Sequence, residues 1–328
     1  MRILVTGAAG LIGAQTTGLL KLQGHSVVGL DNFSDYYSPE MKQKRLEAFG
    51  LKGTVLKVDI TDTEKMDDVF RDHSPEIVIH LAARPGVRAK LNEWNEYNFP
   101  NIVGFQNVVN AVEKFNVRKF IYASSSSIYG EKATLPFVEP DIGGDVASYY
   151  ASTKRLNEFV ANFLPAKGVS TIGLRFFTVY GPWGRPDMAL LRFITAGLME
   201  REIPLTGKLE TLRDFTYIED VTRIIATLID DQQFFKNEVF NLAASNPQSL
   251  QTIIDIIKDL GINCRLKQLE VSPLDAKVTY GNTQKLLDFG ITPPSLDIRT
   301  GLSFTLDWVK TQNLRELSEW VYPEHQIA

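Results

Sequence analysis

The sequence predicts an α/β fold: a doubly wound parallel sheet followed by a smaller mixed α/β region. Three observations carry that prediction. Short apolar runs that suit buried strands alternate with helical patterns from Met1 to about Arg175. The first of these runs leads directly into Gly7, Gly10 and Gly13. The turn-rich stretch Tyr180–Asp187 (YGPWGRPD) then breaks the rhythm, and shorter elements follow. Residues 1–178 are accordingly assigned to the first domain and residues 179–328 to the second.

Strands are predicted near Ile3–Thr6, Ser26–Leu30, Thr54–Val58, Ile77–His80, Lys119–Ser124 and Thr171–Arg175. Helical patterns fill the gaps, notably Asn101–Phe115 and Tyr149–Phe163. Asp214–Ile218 and Val239–Leu242 are short strand-like runs and candidates for a return to the main sheet. His80 reads as a packed histidine at a strand end. No internal repeat or low-complexity tract is present.

The glycines give the first domain a chemistry. At a strand-to-helix turn they let the backbone approach a pyrophosphate, and the N–H groups of the helix start, at Leu11 and Ile12, point at it. A dinucleotide-binding, Rossmann-like sheet is therefore expected. The second strand ends at Asp31, eighteen residues after Gly13. A carboxylate there suits the adenosine ribose hydroxyls and repels a 2′-phosphate. No Arg or Lys lies between Asp31 and Glu40, which favours NAD over NADP. Val58-Asp59-Ile60 is expected beside the adenine, and the small Leu81-Ala82-Ala83 against the cofactor backbone.

Composition narrows the function. Of 328 residues, 44% are hydrophobic and 23% charged, as in ordinary globular proteins, and the net charge is −4. Without a Lys/Arg block, nucleic acid is not an expected partner. The single cysteine, Cys264, excludes an internal disulfide framework and suggests a reducing compartment. No Cys/His cluster points to a metal, and no apolar run has membrane-spanning length. The first strand begins at once, so no signal peptide is expected and the cytoplasm is the expected location.

Tyr150 and Lys154 lie four apart, on one face of a predicted helix. An ammonium beside a phenol favours the phenolate and lowers its pKa from about 10, producing a general base for a sugar or alcohol hydroxyl. The spacing alone also fits a solvated Lys beside a half-buried Tyr. Four consecutive hydroxyls, Ser124 to Ser127, close the strand Lys119–Ser124 at the carboxyl end of the predicted sheet, where ligands of such sheets bind. With Tyr150 and Lys154 they read as a Ser–Tyr–Lys constellation in which a Ser bonds the reacting hydroxyl, Tyr150 takes its proton, and Lys154 tunes Tyr150 and holds the nicotinamide ribose.

The chain resembles the extended short-chain dehydrogenase/reductases of the nucleotide-sugar epimerase type, and within them the UDP-glucuronate 4-epimerases. The matching stretches are TGAAGLIG (Thr6–Gly13), GLDNFSDYY (Gly29–Tyr37), HLAARPGVR (His80–Arg88), YASSSSIYG (Tyr122–Gly130), SYYASTK (Ser148–Lys154), LRFFTVYGPWGRPDMAL (Leu174–Leu190) and RDFTYIEDV (Arg213–Val221). One departure is Arg84-Pro85, where the family usually has Gln-Ala. The resemblance implies Ser125 as the catalytic hydroxyl beside Tyr150 and Lys154. It implies Ser126, Ser127, Thr178 and Arg185 for a sugar carboxylate, and Arg213 for the diphosphate. Arg88 and Arg192 are further substrate candidates. Asn32, Ser34, Asn98 and Ser124 complete the candidates for NAD. A homodimer through the Asn101–Phe115 and Tyr149–Phe163 helices is also implied.

The implied reaction is a reversible C4 epimerisation of UDP-glucuronate to UDP-galacturonate through a 4-keto sugar. The related 4,6-dehydratases carry Asp-Glu where Ser126-Ser127 stand, and the decarboxylases carry Glu at Ser127; neither acid is present here. A 4-epimerase for neutral UDP-hexoses and a UDP-glucuronate decarboxylase remain alternatives, with a non-catalytic NAD-binding regulator more remote.

Overall fold

The computed structural model describes residues 1–88, 90–130, 133–205, 207–269 and 277–323. The first half runs β1 (Arg2–Thr6), α1 (Leu11–Leu22), β2 (Ser26–Asp31), α2 (Pro39–Ala48), β3 (Val55–Lys57), α3 (Thr63–His73), β4 (Ile77–His80), α4 (Trp94–Asn98), α5 (Phe105–Lys114), β5 (Lys119–Ser125) and α6 (Tyr149–Ala161). The second half runs β6 (Ser170–Phe176), β7 (Thr178–Tyr180), α7 (Ala189–Leu198), β8 (Glu202–Leu205), β9 (Leu212–Arg213), β10 (Phe215–Tyr217), α8 (Ile218–Asp230), β11 (Lys236–Leu242), β12 (Gln248–Ser249), α9 (Leu250–Asp259), β13 (Arg265–Gln268), α10 (Gln284–Asp288), α11 (Ile298–Thr311) and α12 (Leu314–Val321).

Seven strands form one parallel sheet in the order β11-β6-β5-β4-β1-β2-β3. The direction of winding reverses between β1 and β4, whose last residues, Thr6 and His80, are register partners. That reversal opens a crevice beyond the strand ends, where open α/β sheets bind their ligands. The strands are apolar on both faces because helices cover both. Leu4, Val78, Phe120 and Tyr122 pack with α3 and α5 on one side. Ile3, Val5, Ile79, Ile121 and Leu174 pack with α1 and α8 on the other, and that cluster continues without interruption through α9 and α11 to Trp320 in α12. Each such fully buried side chain contributes about 1.5–3 kcal/mol relative to exposure.

Val239–Leu242 does return to the main sheet, as part of β11 beside β6. Asp214–Ile218 does not. Only Phe215–Tyr217 is extended, and it pairs with β7 in a separate two-stranded sheet. The position beside β6 belongs to β11, and the Asp214 carboxylate is anchored elsewhere, accepting from the backbone N–H groups of Ala244 (2.8 Å) and Gly281 (3.2 Å). The helix predicted over Asn101–Phe115 opens with a wider π-helical segment, Phe99–Gly104, and becomes α-helical at Phe105. Pro100, which has no N–H to give an α-helical ladder, sits in that segment.

His80 is 1% exposed, 2.8 Å from the Thr6 hydroxyl through Nδ1, and edge-on to Phe105. Burial, with a smaller contribution from Lys154, pushes its imidazole down to about 3. Between pH 6.5 and about 3 the unfolded chain therefore binds a proton that the folded chain refuses, and stability falls as the pH falls through that window. A His80→Asn variant lacks this proton. In matched thermal melts the parent's advantage over the variant should be greatest above pH 7 and shrink towards pH 3.

Candidate active site

A cleft of about 1040 Å³ lies across the strand ends. Its floor is the β1–α1 turn. Gly7 adopts φ +70°, and a Cβ there would stand 2.7 Å from the Ala82 nitrogen. A Cβ on Gly13 would stand 2.1 Å from the Gly7 oxygen. Only glycine allows the turn to close on itself and against the end of β4. Gly10 caps α1 and leaves the N–H groups of its first turn facing the cleft.

Asp31 ends β2 within the same wall. Its two oxygens accept from the backbone N–H of Ala9 (3.0 Å) and of Phe33 (2.8 Å), so the acid also braces the glycine turn. The amide of Asn32 donates to Asp59 (2.9 Å), and Thr61 donates to it twice. Against burial, these donors hold the Asp59 carboxyl below the usual carboxylate range. Lys42 also lines this end, beyond the stretch weighed for cofactor choice. Its ammonium is held on Ser34 by the carbonyl oxygen (2.7 Å) and the hydroxyl (3.2 Å).

Tyr150 is placed by Ser148, which caps α6 by accepting from the Ala151 N–H and so puts Tyr150 in the first turn. Ser125 is hydrogen-bonded to Tyr150 and accepts from the N–H (3.2 Å) and hydroxyl (3.0 Å) of Ser127. Burial raises the Tyr150 pKa, while the Arg185 charge and the Ser125 hydrogen bond oppose the rise. Lys154 stands one turn further along the same helix. Its ammonium donates to the Ala123 carbonyl (2.9 Å), 1% of the residue is exposed, and burial pushes its pKa down to about 8 against the pull of Glu158.

Arg185 is itself paired. Its Nε and Nη2 donate to the two oxygens of Asp187 (3.0 and 2.6 Å), and the Tyr36 hydroxyl donates to the same carboxylate (2.9 Å). Burial opposes charge on both partners, and the pairing outweighs it: Arg185 is raised and Asp187 lowered. Thr178 opens β7 in the adjoining wall. Arg192 stacks its guanidinium on Tyr322 at 5.1 Å, and its Nε is buried without a hydrogen-bond partner among the described residues. Arg213 lines the cleft with Nη1 on the Leu212 carbonyl (2.9 Å). Arg88 lines it from an exposed position.

Every site residue expected from the sequence lies in this wall except Asn98. Asn98 sits in α4, and its amide oxygen accepts the Tyr149 hydroxyl. Ser124 reaches the wall, but its hydroxyl is spent on Glu158 (2.5 Å). Sequence reasoning placed the Arg84-Pro85 departure near the expected substrate, and both residues line the cleft; it missed Tyr36, Tyr97, Lys42 and Asp187, which line it too. Tyr36 and Asp187 fall inside quoted motifs, yet spacing carries no sign that Asp187 would occupy the Arg185 fork.

The family model described as the NAD dependent epimerase/dehydratase family matches residues 3–243. The UDP-glucuronate 4-epimerase of Thermodesulfobacterium geofontis is 37% identical over 94% of this chain and 95% of its own length. The CapI protein of Staphylococcus aureus is 36% identical over 94% and 98%. Among solved structures, a UDP-glucuronic acid 4-epimerase from Bacillus cereus, in complex with UDP-glucuronic acid and NAD, superposes with a TM-score of 0.87 at 31% identity, covering 94% of this chain and 99% of that one. The family match over residues 3–243 and relatives of this identity and coverage show that the chain belongs to the NAD dependent epimerase/dehydratase family.

Proposed function

We propose that this protein interconverts UDP-glucuronate and UDP-galacturonate by NAD-dependent epimerisation at C4. One observation carries the choice of a charged sugar: the Arg185 guanidinium lines the same cleft as the Tyr150 phenol and the hydrogen-bonded Ser125–Ser127 cluster. A cation at the reacting phenol suits a hexuronate rather than a neutral hexose.

The residues fit the cofactor. The turn has no room for a Cβ at Gly7 or Gly13, which leaves its backbone open to a pyrophosphate over Gly10, Leu11 and Ile12. Asp31, Asn32 and Ser34 hold the adenosine ribose, with Asp59 and Ile60 beside the adenine. The Asp31 oxygens accept one backbone N–H each and retain lone pairs for ribose hydroxyls. Leu81–Ala83 lie along the nicotinamide half. Lys154 has two N–H donors beyond the one given to Ala123, and these serve the second ribose. Bound there, NAD supplies reversible hydride transfer, so the net reaction is redox-neutral.

The side chains do the rest. Tyr150 accepts the C4 hydroxyl proton and returns it, with Ser125 bridging phenol and sugar. Arg213 binds the diphosphate. A 4-keto uronate is a β-keto acid and loses carbon dioxide when its carboxylate C–C bond aligns with the carbonyl π system. Ser126, Ser127, Thr178 and Arg185 hold the carboxylate out of that alignment, so positioning here prevents a reaction. Asp187 must release the Arg185 fork to admit the sugar carboxylate.

Residues 1–178 form the dinucleotide half and 179–328 close over the sugar, with β11 returned to the sheet. Phe99, Val103, Leu156, Phe159 and Phe163 are exposed on the helical segments around α5 and α6, with Phe159 at 61% and Phe163 at 62%. This apolar face supports a homodimer. Among the described residues, no helix is long and apolar enough to cross a membrane. A single buried thiol suits the cytoplasm.

Incubation with UDP-glucuronate should yield UDP-galacturonate by NMR; conversion of UDP-glucose alone would refute the uronate reading. Tyr150→Phe should abolish turnover while UDP-sugar binding survives, as measured by calorimetry. Replacing Thr178 or Arg185 should raise the share of 4-keto-pentose in the products, and an unchanged ratio would remove both from the carboxylate site. Gly13→Ala should strip the protein of NAD, read as cofactor content after purification.

A further inference from the structure

The cluster around Tyr36 contains a cation that the reaction above does not use. Arg84 follows the end of β4. Both polar atoms of its backbone are held by the Asn101 amide: its N–H donates to Oδ1 (2.7 Å) and its carbonyl accepts from Nδ2 (3.0 Å). Asn101 is 1% exposed, and the same Nδ2 donates to the Thr153 hydroxyl (3.1 Å), one residue before Lys154. The base of the Arg84 side chain is thereby fixed to the helix that carries Tyr150.

Its guanidinium lies 4.3 Å from the Tyr36 ring centre and 5.8 Å from that of Tyr97. Tyr97 stands edge-on to Tyr150 at 6.4 Å. Arg185 lies over the same Tyr36 ring at 5.8 Å, so two guanidiniums flank one phenol. Stacking on rings leaves the in-plane N–H edge of a guanidinium able to bond an oxyanion. The Arg84 side chain hydrogen-bonds Tyr97, and one of its nitrogens pairs with Glu96 (2.5 Å), but that carboxylate is 52% exposed, and surface pairs hold weakly. The Arg84 Nε is buried and has no hydrogen-bond partner among the described residues. A buried donor in that state is costly unless a ligand completes it.

We propose that Arg84 is a specificity-determining residue of the sugar subsite: it attracts the anionic hexuronate together with Arg185, and its Nε–H takes an acceptor oxygen of that sugar. The proposal rests on the uronate reading above. Gln in its place would keep hydrogen-bond donors but remove this side chain's charge.

The test is calorimetric binding of UDP-glucuronate and of UDP-glucose to the NAD-loaded protein in a Tyr150→Phe background, where chemistry does not intervene. Arg84→Gln should weaken UDP-glucuronate by about tenfold and UDP-glucose by less than about twofold. Equal losses for both sugars, a larger loss for the neutral one, or no loss for the uronate would each overturn the assignment. Arg84→Met keeps an unbranched chain against Tyr36 and Tyr97 and gives the same readout if the Gln variant does not fold. Failure of the underlying reading shows separately, as a parent protein that leaves UDP-glucuronate unconverted at C4.

Discussion

The buried pair of Glu158 and Arg175 holds the reactive helix to the sheet. Two parallel bonds join them, Arg175 Nε to Glu158 Oε1 at 2.9 Å and Nη2 to Oε2 at 2.8 Å, with only 2% of the Arg175 and 9% of the Glu158 side chain exposed. Arg175 also donates to the Tyr129 hydroxyl and the Glu139 carbonyl, both at 2.8 Å. Tyr129 donates in turn to Asn241 in β11 (2.6 Å), and Ser124 donates to Glu158. One polar network thus ties α6 to β5, β6 and β11. Removing one partner of such a pair costs about 3–5 kcal/mol, whereas replacing both by apolar groups can be neutral. Its value is therefore positional: it sets the helix on which Lys154 stands one turn away and Tyr150 two.

That position brings the two members of the reactive pair into similar difficulty. Both are buried, so the phenol resists losing a proton and the ammonium resists keeping one. The compensations differ. Arg185 and Ser125 work on the phenol, and Glu158 works on the ammonium. Arg185 is itself balanced by Asp187. Charge at this end of the cleft is consequently arranged as matched pairs around Tyr36 rather than as a bare positive patch.

Much of the fold was legible because its signals are local. A strand buried on both faces needs an uninterrupted apolar run, and Ile77–His80 or Lys119–Ser125 shows it within a few residues. The glycine turn was equally legible, since each contact that excludes a Cβ lies within one turn or at the neighbouring strand end. The fate of Asp214–Ile218 was not. A strand-like run states only that it can pair, and its partner depended on β11 taking the sheet edge. Asn98 lies outside the wall for a similar reason: the hydroxyl that occupies its amide, that of Tyr149, comes from another helix.

The sequence by itself determined the sheet, the phosphate turn, the acid at the end of β2 and the four-residue spacing of Tyr150 and Lys154. Each follows from backbone sterics or helical period over short distances. Tertiary structure alone decided where the charges settle. It put Lys154 on the Ala123 carbonyl, Arg185 on Asp187, and Arg84 against Tyr36 and Tyr97. Those partners are remote in the chain or fixed by burial. Desolvation, which governs the proton affinities of Tyr150 and Lys154, exists only once the cleft is closed around them.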